Sequence, residues 1–206
     1  QLQQDNPSLQ LIVAHVDHGI REDSDADAWL VSSLARQYGM SFEMTRLNLG
    51  DAPSEEAARA ARYLWLETIK DKHAADGIMT AHHEDDQIET VMLNFVRGTG
   101  WCGLASLRTG SERYRPLLNL SKAHLVRYAL EHNLVWHEDH TNNDIRYTRN
   151  YIRHGIVPKL DAATRRKLTS LAKKQRQLRE EIEKEAAKVL DDSRDEVGLS
   201  RHKLIM

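Results

Sequence analysis

The 206 residues include one cysteine, Cys102, and that scarcity excludes an internal disulfide framework and any paired-cysteine zinc or iron–sulfur site. So little cysteine suits a reducing compartment, and a cytoplasmic location is the expectation. No apolar run approaches the roughly 20 residues that span a bilayer, and nothing after Gln1 has the layout of a secretory leader. The ten glycines never stand side by side, so the chain as it stands holds no glycine-rich phosphate cradle. Repeats and low-complexity tracts are also lacking. Net charge is nearly absent, with 29 Lys and Arg against 31 Asp and Glu, and by itself it points to no partner. The charges are unevenly spread, however. Residues 1–90 hold 7 basic and 17 acidic side chains, whereas residues 140–181 hold 11 basic and 4 acidic, so the later stretch is suited to a polyanion.

The chain does carry an alternation of strand and helix signals. Residues 9–16 (LQLIVAHV) form a nearly continuous apolar run, β-branched in the middle, and read as a strand buried on both faces that ends in His15, Asp17, His18 and Gly19. Residues 25–38 place Ala28, Leu30, Val31, Leu34 and Ala35 at helical spacing before Gly39. A second strand is expected over 41–49. Ser54, Glu55 and Glu56 open a helix reaching about His73, and a third strand follows over 77–81. Strand, helix, strand, helix, strand predicts an α/β fold, a parallel sheet flanked by helices. A short helix is expected over 121–132. From Ile145 the sequence reads as helical and basic, with Arg146, Arg149 and Arg153 stacked on one face. Residues 162–190 form a long charged segment with a thin stripe of Leu168, Leu171, Leu178, Ile182 and Ala186, read as a connecting helix rather than a core helix.

The densest cluster of chemistry is HHEDD at 82–86, directly after the third strand. Ligands of open α/β sheets bind where strands hand over to helices, at the strands' carboxyl ends. The next residues place Ile88, Met92 and Phe95 on one helical stripe, and Asp86 and Glu89, three apart, on one face of that helix. Capping of the helix start accounts for one acid. It leaves the two histidines unexplained, so the cluster reads as a site. The RGTG loop at 97–100 is either a helix stop or a ligand contact.

Taken together, HVDHGIR at 15–21, SEEAARAARY at 54–63, TAHHEDDQIET at 80–90, RGTGWCGL at 97–104, RPLL at 115–118, EDHTNND at 138–144 and RNYIRHGIVPKL at 149–160 closely resemble the tRNA(Ile)-lysidine synthetase family, in order from about residue 9 to 160. The resemblance implies an N-type ATP pyrophosphatase domain of Rossmann-like, adenine nucleotide alpha hydrolase-like fold over 1–160. A linker helix and the start of a truncated C-terminal region then occupy 161–206. It implies ATP, Mg²⁺, free L-lysine and a tRNA(Ile) with a CAU anticodon as reactants or partners, and leaves a homodimer open. In the implied chemistry ATP adenylates the C2 oxygen of the wobble cytidine, and the lysine ε-amine then displaces AMP. Such chemistry needs cationic groups for the phosphates, an acidic slot for the amine and a basic surface for the tRNA backbone. Carried onto this chain, the family pattern gives Asp86 and Arg153 catalytic roles and Asp86 and Glu89 the lysine. It gives His15, His82 and Arg97 the nucleotide, and Arg59, Arg62, Arg146 and Arg149 tRNA or phosphate; no resident metal site is implied.

The family's SGGxDS phosphate loop and the strand before it have no counterpart here. A segment ahead of Gln1 is therefore expected to be missing, and the chain alone is expected to bind ATP poorly and not to adenylate tRNA. Three other readings compete. A PP-loop tRNA thiolation enzyme of the 2-thiocytidine type would need paired cysteines. A metal-dependent phosphohydrolase would use His15, Asp17, His82, His83 and Asp86 as ligands. A non-catalytic RNA-binding module would rest on the basic 140–181 segment.

Overall fold

The computed structural model describes residues 5–17, 24–48, 50, 54–104, 107, 112–138, 144–192, 194–195 and 198–199. The strings HGIR at 18–21 and DHTNN at 139–143, and residues 200–206, lie outside them. The chain divides into two compact units: residues 1–78 with 135–138, and residues 79–134 with 139–206. That division falls inside the 1–160 stretch read above as one domain.

In the first unit β1 (Ile12–Asp17) and β2 (Ser41–Arg46) pair in parallel, from Ile12 opposite Ser41 to Asp17 opposite Arg46. Parallel neighbours need a crossover, and α1 (Ser24–Gln37) supplies it. Gly39, at φ +67°, ends that helix, with Gly39 N–H donating to Arg36 O and Met40 N–H to Ala35 O; a left-handed residue after a helix is cheapest as glycine. β1 starts three residues later than its apolar run, because Leu9 turns back on Asn6, and it is half-buried rather than covered on both faces. Its last residue, Asp17, is buried and accepts hydrogen bonds from Ser24 Oγ and Arg46 Nε, which joins the strand end to α1 and β2. Asp17 is thus engaged by a cation and a hydroxyl instead of standing open as a metal ligand.

α2 (Glu55–Lys72) begins where the Ser-Glu-Glu signal places it, with Ser54 Oγ accepting from Ala57 N–H. At its far end Lys72 Nζ and His73 Nε2 both lie 2.7 Å from Glu43 Oε1, tying the helix to β2. The two partners hold the Glu43 carboxyl below its ordinary range.

The second unit is mostly helical. The short strand β3 (Ile78–Met79) falls at the division, and within the second unit Thr80 N–H donates to Tyr114 O of β4 (Arg113–Tyr114). α3 (Glu84–Val96), α4 (Trp101–Leu104) and α5 (Lys122–Glu131) follow, the last capped by Ser121 Oγ. The basic stretch forms three short pieces instead of one helix: α6 (Thr148–Tyr151), a π-helical turn (Ile152–Ile156) and a 3₁₀ turn (Val157–Lys159). α7 (Ala162–Asp192) and two short antiparallel strands, β5 (Arg194–Asp195) and β6 (Gly198–Leu199), follow.

The core of this unit is Ile88, Leu93, Ile152 and Val157, with Met92, Ile156, Leu160 and Leu168 packed against it. Burying one such aliphatic side chain contributes about 1.5–3 kcal/mol, so this cluster fixes the π turn against α3. α7 is only partly the free connector its composition predicted. Its first half packs on α3 and α4, with Ala172 fully buried, while every residue from 180 to 190 is exposed. Among the described residues no helix is long and apolar enough to cross a membrane.

Candidate functional site

The site grows from the first turn of α3. His83 is its N-cap: Nδ1 accepts from Asp86 N–H at 3.3 Å, and Asp86 Oδ2 accepts from His83 N–H at 3.0 Å. This reciprocal box satisfies two of the donors that a helix start leaves orphaned. One histidine of HHEDD is therefore the cap itself, and the inference that capping leaves both histidines unexplained is corrected. The other histidine, His82, is half-buried with Nδ1 2.8 Å from Thr80 Oγ1.

Capping occupies Oδ2 of Asp86. Oδ1 faces Nη2 of Arg153 at 3.6 Å. Arg153 in turn makes a forked contact with Glu89, Nε to Oε1 at 2.8 Å and Nη2 to Oε2 at 2.9 Å, and Arg149 Nε donates to Glu89 Oε2 at 3.2 Å. Two carboxylates from α3 thus meet two guanidinium groups from α6 and the π turn. Asp86 and Glu89 share a face, as their spacing requires. Glu89 differs from the expected open slot: it is 1% exposed and spent on both arginines, so its role here is to hold them. A buried carboxylate is tolerable only when it is paired in this way.

Arg149 and Arg153 come together, but Arg146 does not join them. It precedes α6, pairs with Asp144 at 2.7 Å and is 86% exposed in its side chain; the single-face reading of the three arginines is corrected, because the backbone is not helical before Thr148. The turn that carries Arg153 closes by Val157 N–H donating to Ile152 O, a five-residue step. Such wide turns are rare and concentrate at functional sites.

Of the remaining candidates, Arg97 belongs to the second unit and His15, Arg59 and Arg62 to the first. Arg97 is the exposed C-cap of α3, eleven residues and about 16 Å along the axis from Asp86. Gly98, at φ +65°, ends the helix there, so RGTG serves as the stop signal. Phe95, expected on the buried stripe, is 75% exposed, while Val91 and Leu93 are buried. In the first unit His15 is half-buried on β1 opposite Met44. Arg59 stands over the Tyr63 ring at 5.2 Å, and Arg62 is exposed on the same helix. Among the described residues no three ligating side chains form a metal cluster.

Two links from α7 to the HHEDDQ string were missed in the sequence. Arg165 Nη1 donates to Asp85 Oδ1 at 3.1 Å, and Arg176 Nη1 donates to buried Gln87 Oε1 at 2.7 Å. Burial pushes the Arg176 guanidinium down, opposed by Glu180 and reinforced by Arg115. The only signal was an excess of arginine in a helix otherwise read as a connector.

Residues 1–160 match the PP-loop domain family. The chain is 38% identical over 154 residues to the tRNA(Ile)-lysidine synthase of Exiguobacterium sibiricum, covering 73% of this chain and 37% of that protein. It is 38% identical over 160 residues to the enzyme of that name from Thermotoga maritima (73% and 38%), and 40% over 161 residues to that of Burkholderia mallei (72% and 32%). The chain therefore spans about a third of the length of these relatives. Among solved structures, the tRNA thiolase NcsA of Methanococcus maripaludis superposes with a TM-score of 0.71 at 16% identity, over 86% of this chain and 65% of that one, a likeness of fold.

Proposed function

This chain belongs to the PP-loop domain family, and from that premise we propose that it is the catalytic portion of a tRNA(Ile)-lysidine synthase, joining L-lysine to C2 of the wobble cytidine at the expense of ATP. The observation that carries the reading is the contact of Asp86 and Glu89 on α3 with Arg153 on the π turn. The names of its relatives, at 38–40% identity, support tRNA(Ile) as the substrate and lysidine as the product.

In the proposed reaction the cytidine C2 oxygen attacks the α-phosphorus of ATP and pyrophosphate leaves. The lysine ε-amine then adds at C2, loses a proton, and AMP departs with the oxygen. Adenylation converts a poor leaving oxygen into a good one. Arg153, held rigid by Glu89, is the group that spreads phosphate charge in the transition state, an effect that depends on donors fixed in advance. Asp86, whose Oδ2 is fixed by the helix cap, orients the amine with Oδ1 and takes up its proton. Arg149 completes the neutralisation of Glu89. Arg146, the exposed cation before α6, is assigned to the tRNA backbone. The nucleotide role of His82, and the nucleotide and tRNA roles of His15, Arg59, Arg62 and Arg97, rest on the resemblance alone. Mg²⁺ enters as the companion of the ATP phosphates, and among the described residues no three ligating side chains form a cluster for it.

Carboxylates neighboured by guanidinium groups suit an amine and a polyanion better than the transition metal a phosphohydrolase would hold. The single cysteine likewise suits ligation better than sulfur transfer. The test is to supply the full-length protein with ATP, labelled lysine and a tRNA(Ile) transcript bearing CAU. Lysine transfer to tRNA with one AMP and one pyrophosphate released per lysine is expected. Release of inorganic phosphate without lysine transfer would assign the protein to hydrolysis instead.

A further inference from the structure

The proposed chemistry uses Asp86 and leaves its neighbour Asp85 unassigned. Asp85 is mostly buried, 16% exposed in its side chain, and its Oδ1 accepts from Arg165 Nη1 at 3.1 Å and from Lys122 N–H at 3.5 Å. The other arm of the same guanidinium, Nη2, donates to Val157 O at 3.1 Å. Val157 is the residue whose N–H closes the π turn on Ile152 O, and its side chain is 3% exposed in the core. Arg165, in the first turn of α7, thus spans the start of α3 and the end of the turn that carries Arg153.

We propose that Arg165 is a positioning residue for the lysine-joining site, acting through Arg153; the proposal rests on the function argued above. A guanidinium is a planar fork with donors in fixed directions, whereas an ammonium is a point charge at the end of a flexible stem. Only the fork holds Asp85 and the Val157 carbonyl at once. Losing the guanidinium leaves the Val157 carbonyl only the 3.3 Å bond from Leu160 N–H, which loosens the π turn at its closing residue and with it the register between Arg153 and the Asp86–Glu89 face. Arg153 reaches Asp86 at 3.6 Å but Glu89 at 2.8 Å, so a small shift changes its stance toward Asp86 first.

In the full-length enzyme, Arg165→Lys and Arg165→Ala are expected to lower kcat about tenfold to a hundredfold, the scale of a misplacement near 1 Å, with KM for ATP and lysine within about threefold of wild type. Adding Arg165→Ala to Arg153→Ala should cost nothing further, because a residue that acts through another has no effect once that one is gone. Equal losses in both backgrounds, or full rescue by lysine, would overturn the proposal.

A second measurement does not depend on turnover. The ¹⁵N Nε–Hε resonance of Arg153 should move in both Arg165 variants and stay in place in Arg166→Ala, a control at an exposed neighbour. An Arg153 signal unchanged by Arg165→Lys would overturn the positioning role even if the alanine variant failed to fold. If the wild type joins no lysine yet the Arg153 signal moves, the functional reading falls while the mechanical link stands.

Discussion

Glu89 shows how far one residue's surroundings change its meaning. From spacing alone it is a second acid beside Asp86, available to an amine; in the fold it is buried between Arg149 and Arg153. Its partners lie 60 and 64 positions away, a separation that no local pattern encodes, although the residue types and the shared face with Asp86 were readable. Glu89→Gln should cost about 3 kcal/mol, as expected when one partner of a buried ion cluster is removed; denaturant unfolding at neutral pH measures it. A loss confined to lysine KM with stability unchanged would return Glu89 to the open slot. Arg153→Ala should slow turnover more than it weakens tRNA binding, because one phosphate contact among many contributes little to affinity. Single-turnover rates set against filter-binding affinities separate the two.

At the scale of elements, what could be read in advance was whatever local chemistry controls. Ser54 and Ser121 start helices, Gly39 and Gly98 stop them, and the sequence marks all four. The buried face of α3 was misjudged because α4, α6, the π turn and α7 all contact this helix. A stripe pattern describes a helix covered on one side; here Val91 and Leu93 are enclosed as well, and Phe95 is left exposed. The break of the basic segment into α6 and a π turn had no sequence signal, since it is set by where Ile152 and Val157 meet Ile88 and Leu93.

The link between β2 and α2 gives an element-scale prediction. Lys72 and His73 lower the Glu43 pKa beneath its ordinary 4.5, so the folded state binds that proton less readily than the unfolded one. The stability it contributes is present in full above about pH 4.5 and disappears as pH falls through the lowered folded value. Unfolding titrations of wild type and Glu43→Gln should therefore run apart near pH 6 and converge toward pH 3. A gap that widens on acidification would show that the sign is wrong.

For the whole molecule, the alternation of strands and helices announced the fold class, and the parallel β1–β2 pair with its helical crossover carries it. The division into two units near residue 78 was not legible, because compactness depends on contacts such as those of α7 with α3 rather than on composition. The excess of basic residues over 140–181 resolves into two populations. Arg149, Arg153, Arg165 and Arg176 are turned to protein partners, while Arg146 is largely exposed beside Asp144. Arg146→Ala in the full-length protein should weaken tRNA binding alike for all sequences and lower the salt slope by about 1, leaving kcat untouched. An unchanged slope would remove Arg146 from the tRNA surface.

In the proposed reaction the Asp86 carboxylate, set by the helix cap and faced by Arg153, delivers lysine to an activated cytidine. Transfer of labelled lysine to a CAU-bearing tRNA(Ile) transcript, followed with full-length wild type and Asp86→Asn at saturating ATP and lysine, tests it most directly. Asparagine keeps an oxygen for the cap, so the variant should fold as the wild type does, and its transfer rate should fall by at least about a hundredfold, the scale of a lost general base. Transfer by Asp86→Asn at the wild-type rate would remove Asp86 from the chemistry.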